Sequence, residues 1–167
     1  DAALAQPAGS MIIQRDYLDS TGKEAITEFE AGQIVMVRLS VTSKDSLPSY
    51  MMVEDHLPGG LEALNEGLNT TSREFNAQSL FFYEDYYYGN ESGFSPFMWD
   101  RLGYNNKEIH NGRVTFFTTS AEGSKITFRY FARALRSGTF TALPAEVSAM
   151  YNPNLWGRSQ TGVIEVK

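Results

Sequence analysis

Apolar and polar residues alternate with a period of two through much of this chain. From Gln33 to Ser43, Val35, Val37, Leu39 and Val41 fall on one phase, and Met36, Arg38, Ser40 and Thr42 on the other. From Ile126 to Ala134, Ile126, Phe128, Tyr130, Ala132 and Ala134 share a phase, with Arg129 and Arg133 opposite. Successive side chains of an extended strand point to opposite faces, so this spacing predicts strands with one buried face. The runs Met11–Leu18, Tyr50–Val53, Val114–Thr118, Thr139–Leu143 and Gly162–Lys167 are shorter but similar. Turn formers separate them, including Ser20-Thr21-Gly22, Ala31-Gly32, Asn111-Gly112 and Ser137-Gly138. Short strands with regular turns predict an all-β fold, an antiparallel β-sandwich of about seven strands. Phe128–Leu135 and Thr139–Leu143 flank Arg136-Ser137-Gly138 and predict a hairpin, with Ser137-Gly138 supplying a positive φ at low cost. Leu61, Leu64 and Leu68 have helical spacing, but the flanking Gly59-Gly60 and Gly67 allow at most one or two helical turns.

Size and charge narrow this picture. A chain of 167 residues fits one domain and can bury a substantial core. The net charge of −6, with both signs scattered, argues against nucleic acid and anionic membrane surfaces, which select clustered cations. With no cysteine, disulfide staples, thiol catalysis and thiolate zinc sites are excluded. No run approaches the ~20 apolar residues of a membrane span, so direct membrane insertion is not expected. The opening residues Asp1–Gly9 are neither a Met start nor a signal peptide and read as the cut end of a larger protein. Residues 1–10 are therefore expected as a linker or end, and 11–167 as one domain.

Within that domain, Thr70–Asn106 forms a long insertion with the core LFFYEDYYYGNESGFSPFMWDRLGY. Ordinary loops are much shorter. Tyr86, Tyr87, Tyr88, Phe94 and Trp99 are its candidate interaction surface, since Tyr and Trp combine large contact area with a polar handle. The competing reading has these aromatics capping the core. Glu84, Asp85, Glu91 and Asp100 lack the spacing of a calcium loop. Glu54-Asp55-His56 supplies acid–base residue types, but no G-x-S-x-G motif or second device presents a nucleophile. No catalytic residue, metal or cofactor is expected. Asn69-Thr70-Thr71 and Asn90-Glu91-Ser92 match the N-glycosylation triplet, a pattern short enough to arise by chance.

Three segments together carry a resemblance. The first is Val53-Glu54-Asp55-His56-Leu57-Pro58-Gly59-Gly60-Leu61-Glu62, and the second runs Glu108–Phe117 through Asn111-Gly112-Arg113. The third and most specific holds Tyr130, Arg133-Ala134, Gly138-Thr139-Phe140, Pro144-Ala145, Met150-Tyr151-Asn152-Pro153 and Gly157-Arg158-Ser159. In order and spacing these resemble the C-terminal macroglobulin-like domain of bacterial alpha-2-macroglobulins, the tenth macroglobulin domain and counterpart of the animal receptor-binding domain. Gly59 stands for the usual Ala, Asn111-Gly112 for common acidic residues, and Asn152 for a frequent Asp. Asn and Asp make similar local turn bonds, but any specific carboxylate contact at those positions is put in doubt.

The resemblance implies a non-catalytic module of a broad-range protease inhibitor, exported to the periplasm or cell surface. Its partners would be other domains of the parent chain, foremost a thioester domain, and indirectly a trapped protease. It marks Asp55, Leu57, Pro58, Gly60, Glu62, Arg113, Arg133, Gly138, Met150, Tyr151 and Pro153 as structural motif positions. Met150, Tyr151 and Trp156 are expected as core or corner packing. Two other readings stand beside it: a carbohydrate-binding or adhesive sandwich using the aromatic loop, and a structural Ig-like spacer.

Overall fold

A computed structural model describes residues 5–65, 106–119, 121 and 123–167 of the chain. The candidate surface Tyr86, Tyr87, Tyr88, Phe94 and Trp99 lies outside the described residues. Thirteen strands are formed among those described. They are β1 (Ala8–Gly9), β2 (Ile12–Leu18), β3 (Glu28–Phe29), β4 (Ile34–Thr42), β5 (Met51–His56), β6 (Leu61–Ala63) and β7 (Asn106–His110). After these come β8 (Arg113–Thr118), β9 (Lys125–Ala134), β10 (Gly138–Ala142), β11 (Glu146–Ala149), β12 (Asn152–Arg158) and β13 (Gly162–Val166).

The strands build three sheets: β1-β12-β11-β5-β8-β7, β2-β4-β9-β6 and the small β10-β13-β3. All pairings are antiparallel except the short contact between β13 and β3. The long alternating runs found in the sequence are the centre of the second sheet. There Val35, Val37, Leu39 and Val41 of β4 lie beside Ala132, Tyr130, Phe128 and Ile126 of β9. Their inward side chains meet Met51, Val53, Val114, Phe116 and Val147 of the six-stranded sheet in one continuous core. Phe116 packs on Phe128 with ring centroids 5.2 Å apart, and Tyr17 meets Phe29 edge-on at 5.7 Å. The apolar area removed from water here is the main force holding the sheets face to face.

Two sequence expectations need correction, and a third, the bound of at most one or two helical turns at Leu61 and Leu64, is met by a strand. The strands flanking Arg136-Ser137-Gly138 do not pair: β9 runs between β4 and β6, whereas β10 pairs with β13. Gly138 does adopt a positive φ, 143°, but this swings the chain off one sheet and onto another. The Phe140 ring then fills the space above Gly60, where a Cβ would lie 2.5 Å from it. Secondly, Leu61 begins strand β6 rather than a helical turn, and Leu64 continues the pairing by donating its amide to the Phe131 carbonyl at 2.9 Å. Available backbone partners on β9 override the short i, i+3 spacing; Leu68 lies outside the described residues. Thirdly, Met36 does not face solvent on the polar phase. With Leu18 and Phe131 it forms a second buried cluster on the outer side of the four-stranded sheet, packed by Ile34 and Leu64.

Ala8 and Gly9, in the stretch expected as linker, pair with Arg158 and Gly157. The chain then crosses so tightly that a Cβ on Gly157 would stand 2.1 Å from the Met11 carbonyl oxygen. Glycine is required there for space.

Candidate functional site

The stretch from Ala145 to Ser159 folds back on itself. Val147 and Ala149 of β11 point into the core, which leaves Ser148 and Met150 on the outside of the six-stranded sheet. The turn at Met150-Tyr151 reverses the chain into β12, and a register shift between Ser148 and Ala149 accommodates Pro153 to Leu155. Ser159 closes the base: its hydroxyl accepts the Ala145 amide at 2.9 Å, and its own amide donates to the Ala145 carbonyl at 2.8 Å.

One end of the outer face is apolar in consequence. Ser148 lies between Met52 on β5 and Trp156 on β12, with Phe117 beyond Met52 on β8. One step along, Tyr50 accepts the Met150 amide at 2.9 Å, and its ring meets Tyr151 edge-on at 5.3 Å. Met150, Tyr50 and Trp156 are more than two-fifths exposed and Tyr151 is 80% exposed. This corrects the expectation of core packing for Met150, Tyr151 and Trp156. They do form a corner, but its side chains face outward, because the inward phase of β11 is already taken by Val147 and Ala149. Tyr and Trp gathered with Met on one exposed surface have the composition of an interaction hot spot. The other end of the same face is charged, with Arg113 bonded to Glu54 at 2.7 Å and Glu146 opposite Arg158.

Behind this face, a buried polar group ties the two large sheets together. Asp55 sits on the inward phase of β5 after Met51 and Val53 and is fully buried. Arg15 on β2 donates from Nη1 to Asp55 Oδ1 at 2.6 Å, and the Tyr130 hydroxyl on β9 donates to Oδ2 at 2.7 Å. The Arg15 guanidinium also lies 5.5 Å from the Tyr17 ring centroid. Burial pushes the Asp55 carboxyl above the usual carboxylate range, opposed by the Arg15 charge and the bonds from Tyr130 and Arg15. Burial likewise opposes the Arg15 charge, but Asp55 together with Tyr17 and Tyr130 outweighs it and holds the guanidinium above its ordinary range. This geometry suits a rigid cross-link. It does not suit catalysis: alternation puts Asp55 inside and His56 on the opposite side of β5.

The other motif residues are spread over the fold. Leu57 donates its amide to the Gly112 carbonyl, and Pro58 accepts from the Leu61 amide to close the turn that holds Gly60. Glu62 is exposed and lies opposite Arg133, Arg113 sits on the outer face, and Pro153 is exposed on β12. Sequence reasoning missed Arg15. The available signal was a cation on the inward phase of one strand and a carboxylate on the inward phase of another. Among the described residues no group of His, Cys, Asp and Glu is placed to hold a metal ion.

A sandwich with no helix among the described residues, an internal ionic tie and an outward apolar corner has the architecture of a macroglobulin-type module. Residues 11–154 match the bacterial alpha-2-macroglobulin MG10 domain, and the chain belongs to that family. It is similar to alpha-2-macroglobulin of Escherichia coli K12, with 27% identity over 149 residues, 88% of this chain and 8% of the relative. The alpha-2-macroglobulin homolog of Nostoc is 25% identical over 153 residues, 90% of this chain and 7% of its own. The chain thus spans less than a tenth of the curated relatives it matches and is one domain of a larger multidomain protein. Its fold superposes on trypsin-activated alpha-2-macroglobulin from Escherichia coli with a TM-score of 0.77 at 23% identity, covering 98% of this chain and 11% of that one. It also fits native Escherichia coli alpha-2-macroglobulin spanning MG7 to the C-terminus, with TM-score 0.69 and 23% identity, covering 100% of this chain and 24% of that one.

Proposed function

We propose that this domain packs through its outer apolar corner against a neighbouring domain of the parent protein, the thioester domain foremost. In that role it helps hold an exported, broad-range protease inhibitor in its uncleaved state. The observation that carries the reading is the patch of exposed Tyr50, Met150, Tyr151 and Trp156 around half-buried Met52, on a face backed by a rigid core. Interfaces between domains of one chain commonly bury ~600–1,500 Å². A contact made only in the uncleaved form biases a two-state equilibrium by its differential free energy. Cleavage elsewhere in the parent then shifts that balance, and the domain is released without doing any chemistry itself.

The test is made in the full-length parent. Tyr151→Ala and Trp156→Ala each remove a candidate hot spot, and such truncations commonly cost about 2 kcal/mol or more. That corresponds to a roughly 30-fold shift toward the rearranged form. Native-gel mobility and small-angle scattering without protease should show the rearranged shape accumulating. Variants that keep the wild-type shape and respond unchanged to protease would remove the corner from the interface.

A further inference from the structure

The outer face of the four-stranded sheet, on the opposite side of the sandwich, carries a feature the proposed interface does not use. Beside the Met36 cluster, three rungs run across β2, β4 and β9. They are Asp16–Arg38–Arg129, Gln14–Ser40–Thr127 and Ile12–Thr42–Lys125. Small Ser40 and Thr42 on the middle strand form a floor, flanked by Ile12 and Gln14 on β2 and by Lys125 and Arg129 on β9. These residues line a shallow polar trough. Neighbouring strands are ~4.8 Å apart, so the trough is about 10 Å wide, the room taken by one extended chain.

Its charge is opposite to that of the whole. The chain carries −6, yet the trough holds three cations and one carboxylate. Asp16 is already engaged: it accepts Arg38 Nη2 at 2.9 Å, Arg38 Nε at 3.2 Å and Gln14 Nε2 at 2.9 Å. Arg129 and Lys125 are exposed and have no ion-pair partner among the described residues. They lie four residues apart on the same face of β9, and so ~14 Å apart along the trough. That separation matches carboxylates at positions i and i+4 of an extended peptide. Between them Thr127, Ser40 and Thr42 offer hydroxyls to a peptide backbone.

We propose that this trough docks an extended acidic polypeptide segment, with one carboxylate on Arg129 and a second, four residues away, on Lys125. Three cations in a channel one strand wide suit a single chain, and the recessed floor does not suit a flat lipid surface. The site is independent of the apolar corner.

The experiment uses the full-length parent and a fluorescein-labelled octapeptide with two glutamates four residues apart in a Ser/Thr background. Its glutamine counterpart serves as the control. Fluorescence anisotropy should show the glutamate peptide binding roughly ten-fold more tightly, with affinity falling as salt rises. Lys125→Glu with Arg129→Glu should abolish the preference, whereas Tyr151→Ala leaves it intact. Lys125→Gln with Arg129→Gln supplies the same test should the charge reversal disturb folding. Equal binding of the two peptides, no saturable binding, or affinity untouched by both double variants overturns the proposal. So does binding to phosphatidylglycerol vesicles that needs Lys125 and Arg129 while the peptide stays free, which would assign the face to membrane.

Discussion

Replacing Arg15 by Met tests whether the buried tie between the sheets works as its geometry implies. Met keeps most of the stem volume while removing the guanidinium that bonds Asp55 and lies over the Tyr17 ring, the only cation bonded to Asp55 among the described residues. The carboxylate is then left fully buried with one neutral donor among the described residues, the Tyr130 hydroxyl. Breaking a buried pair by removing one partner costs about 3–5 kcal/mol, because the remaining charge keeps its desolvation penalty without the compensating attraction. For a chain of this length that corresponds to a fall in Tm of ~6–20 °C.

The pH dependence identifies the cause. Burial already places the folded carboxyl of Asp55 above its unfolded value. A raised acid contributes stability that is full below the unfolded pKa and is lost as pH rises through the folded one. Without Arg15 the folded value rises further, so the loss extends to higher pH. Urea unfolding of wild type and Arg15→Met should therefore differ most near neutral pH, and the gap should narrow toward pH ~4. Adding Asp55→Asn should recover most of the lost stability and flatten the pH response, since an amide at that site carries no charge to strand. A cost below ~1 kcal/mol for Arg15→Met, or a gap that does not change with pH, would refute the reasoning.

Further substitutions separate other causes. Tyr17 has a buried hydroxyl with no hydrogen-bond partner among the described residues, so Tyr17→Phe should be neutral or stabilising by up to ~1 kcal/mol in the same unfolding assay. A clear destabilisation would mean that the hydroxyl is satisfied in solution. Gly157→Ala pushes a Cβ to within 2.1 Å of backbone and should cost about 3 kcal/mol, by overpacking that only a strand shift can relieve. Gly112→Ala, with open space around it but φ of 75°, should cost only the left-handed strain of ~1–2 kcal/mol; equal losses at the two sites would contradict this distinction. Slight burial raises the Asp19 carboxyl, but the bonds from Thr21 and from the amides of Lys23, Glu24 and Gly22 outweigh it and leave it below the ordinary range. A lowered acid stabilises above its unfolded pKa and loses that effect as pH falls through the folded one. Hydrogen exchange at the Lys23 and Glu24 amides should therefore show the 19–24 loop losing protection in acid before the core does, and Asp19→Asn should show weak protection already at neutral pH.

Period-two alternation made the centre of the fold legible, because β4 and β9 bury one complete phase and little else constrains their residues. It was less informative where a strand is covered on both sides. Met36 and Phe131 occupy the outward phase, and they are buried by the nearby Leu18, Ile34 and Leu64. It was also weak where a strand is short or interrupted. The four residues of β11 and the shifted register after Ser148 leave too few alternations to count, so Met150-Tyr151 read as a corner of unknown facing. The facing follows from a count that the sequence does contain. Val147 and Ala149 are two residues apart and suited to the core, which puts Ser148 and Met150 outside. The ionic tie was legible by the same logic. Ile13, Arg15 and Tyr17 share one phase, as do Met51, Val53 and Asp55, so each strand carries one charge toward the core. A buried charge without an opposite partner is too costly to keep, and these two inward charges have opposite signs. What the spacing alone could not supply was the pairing of β2 and β5 across the sandwich, because the two strands belong to different sheets and meet only through their side chains.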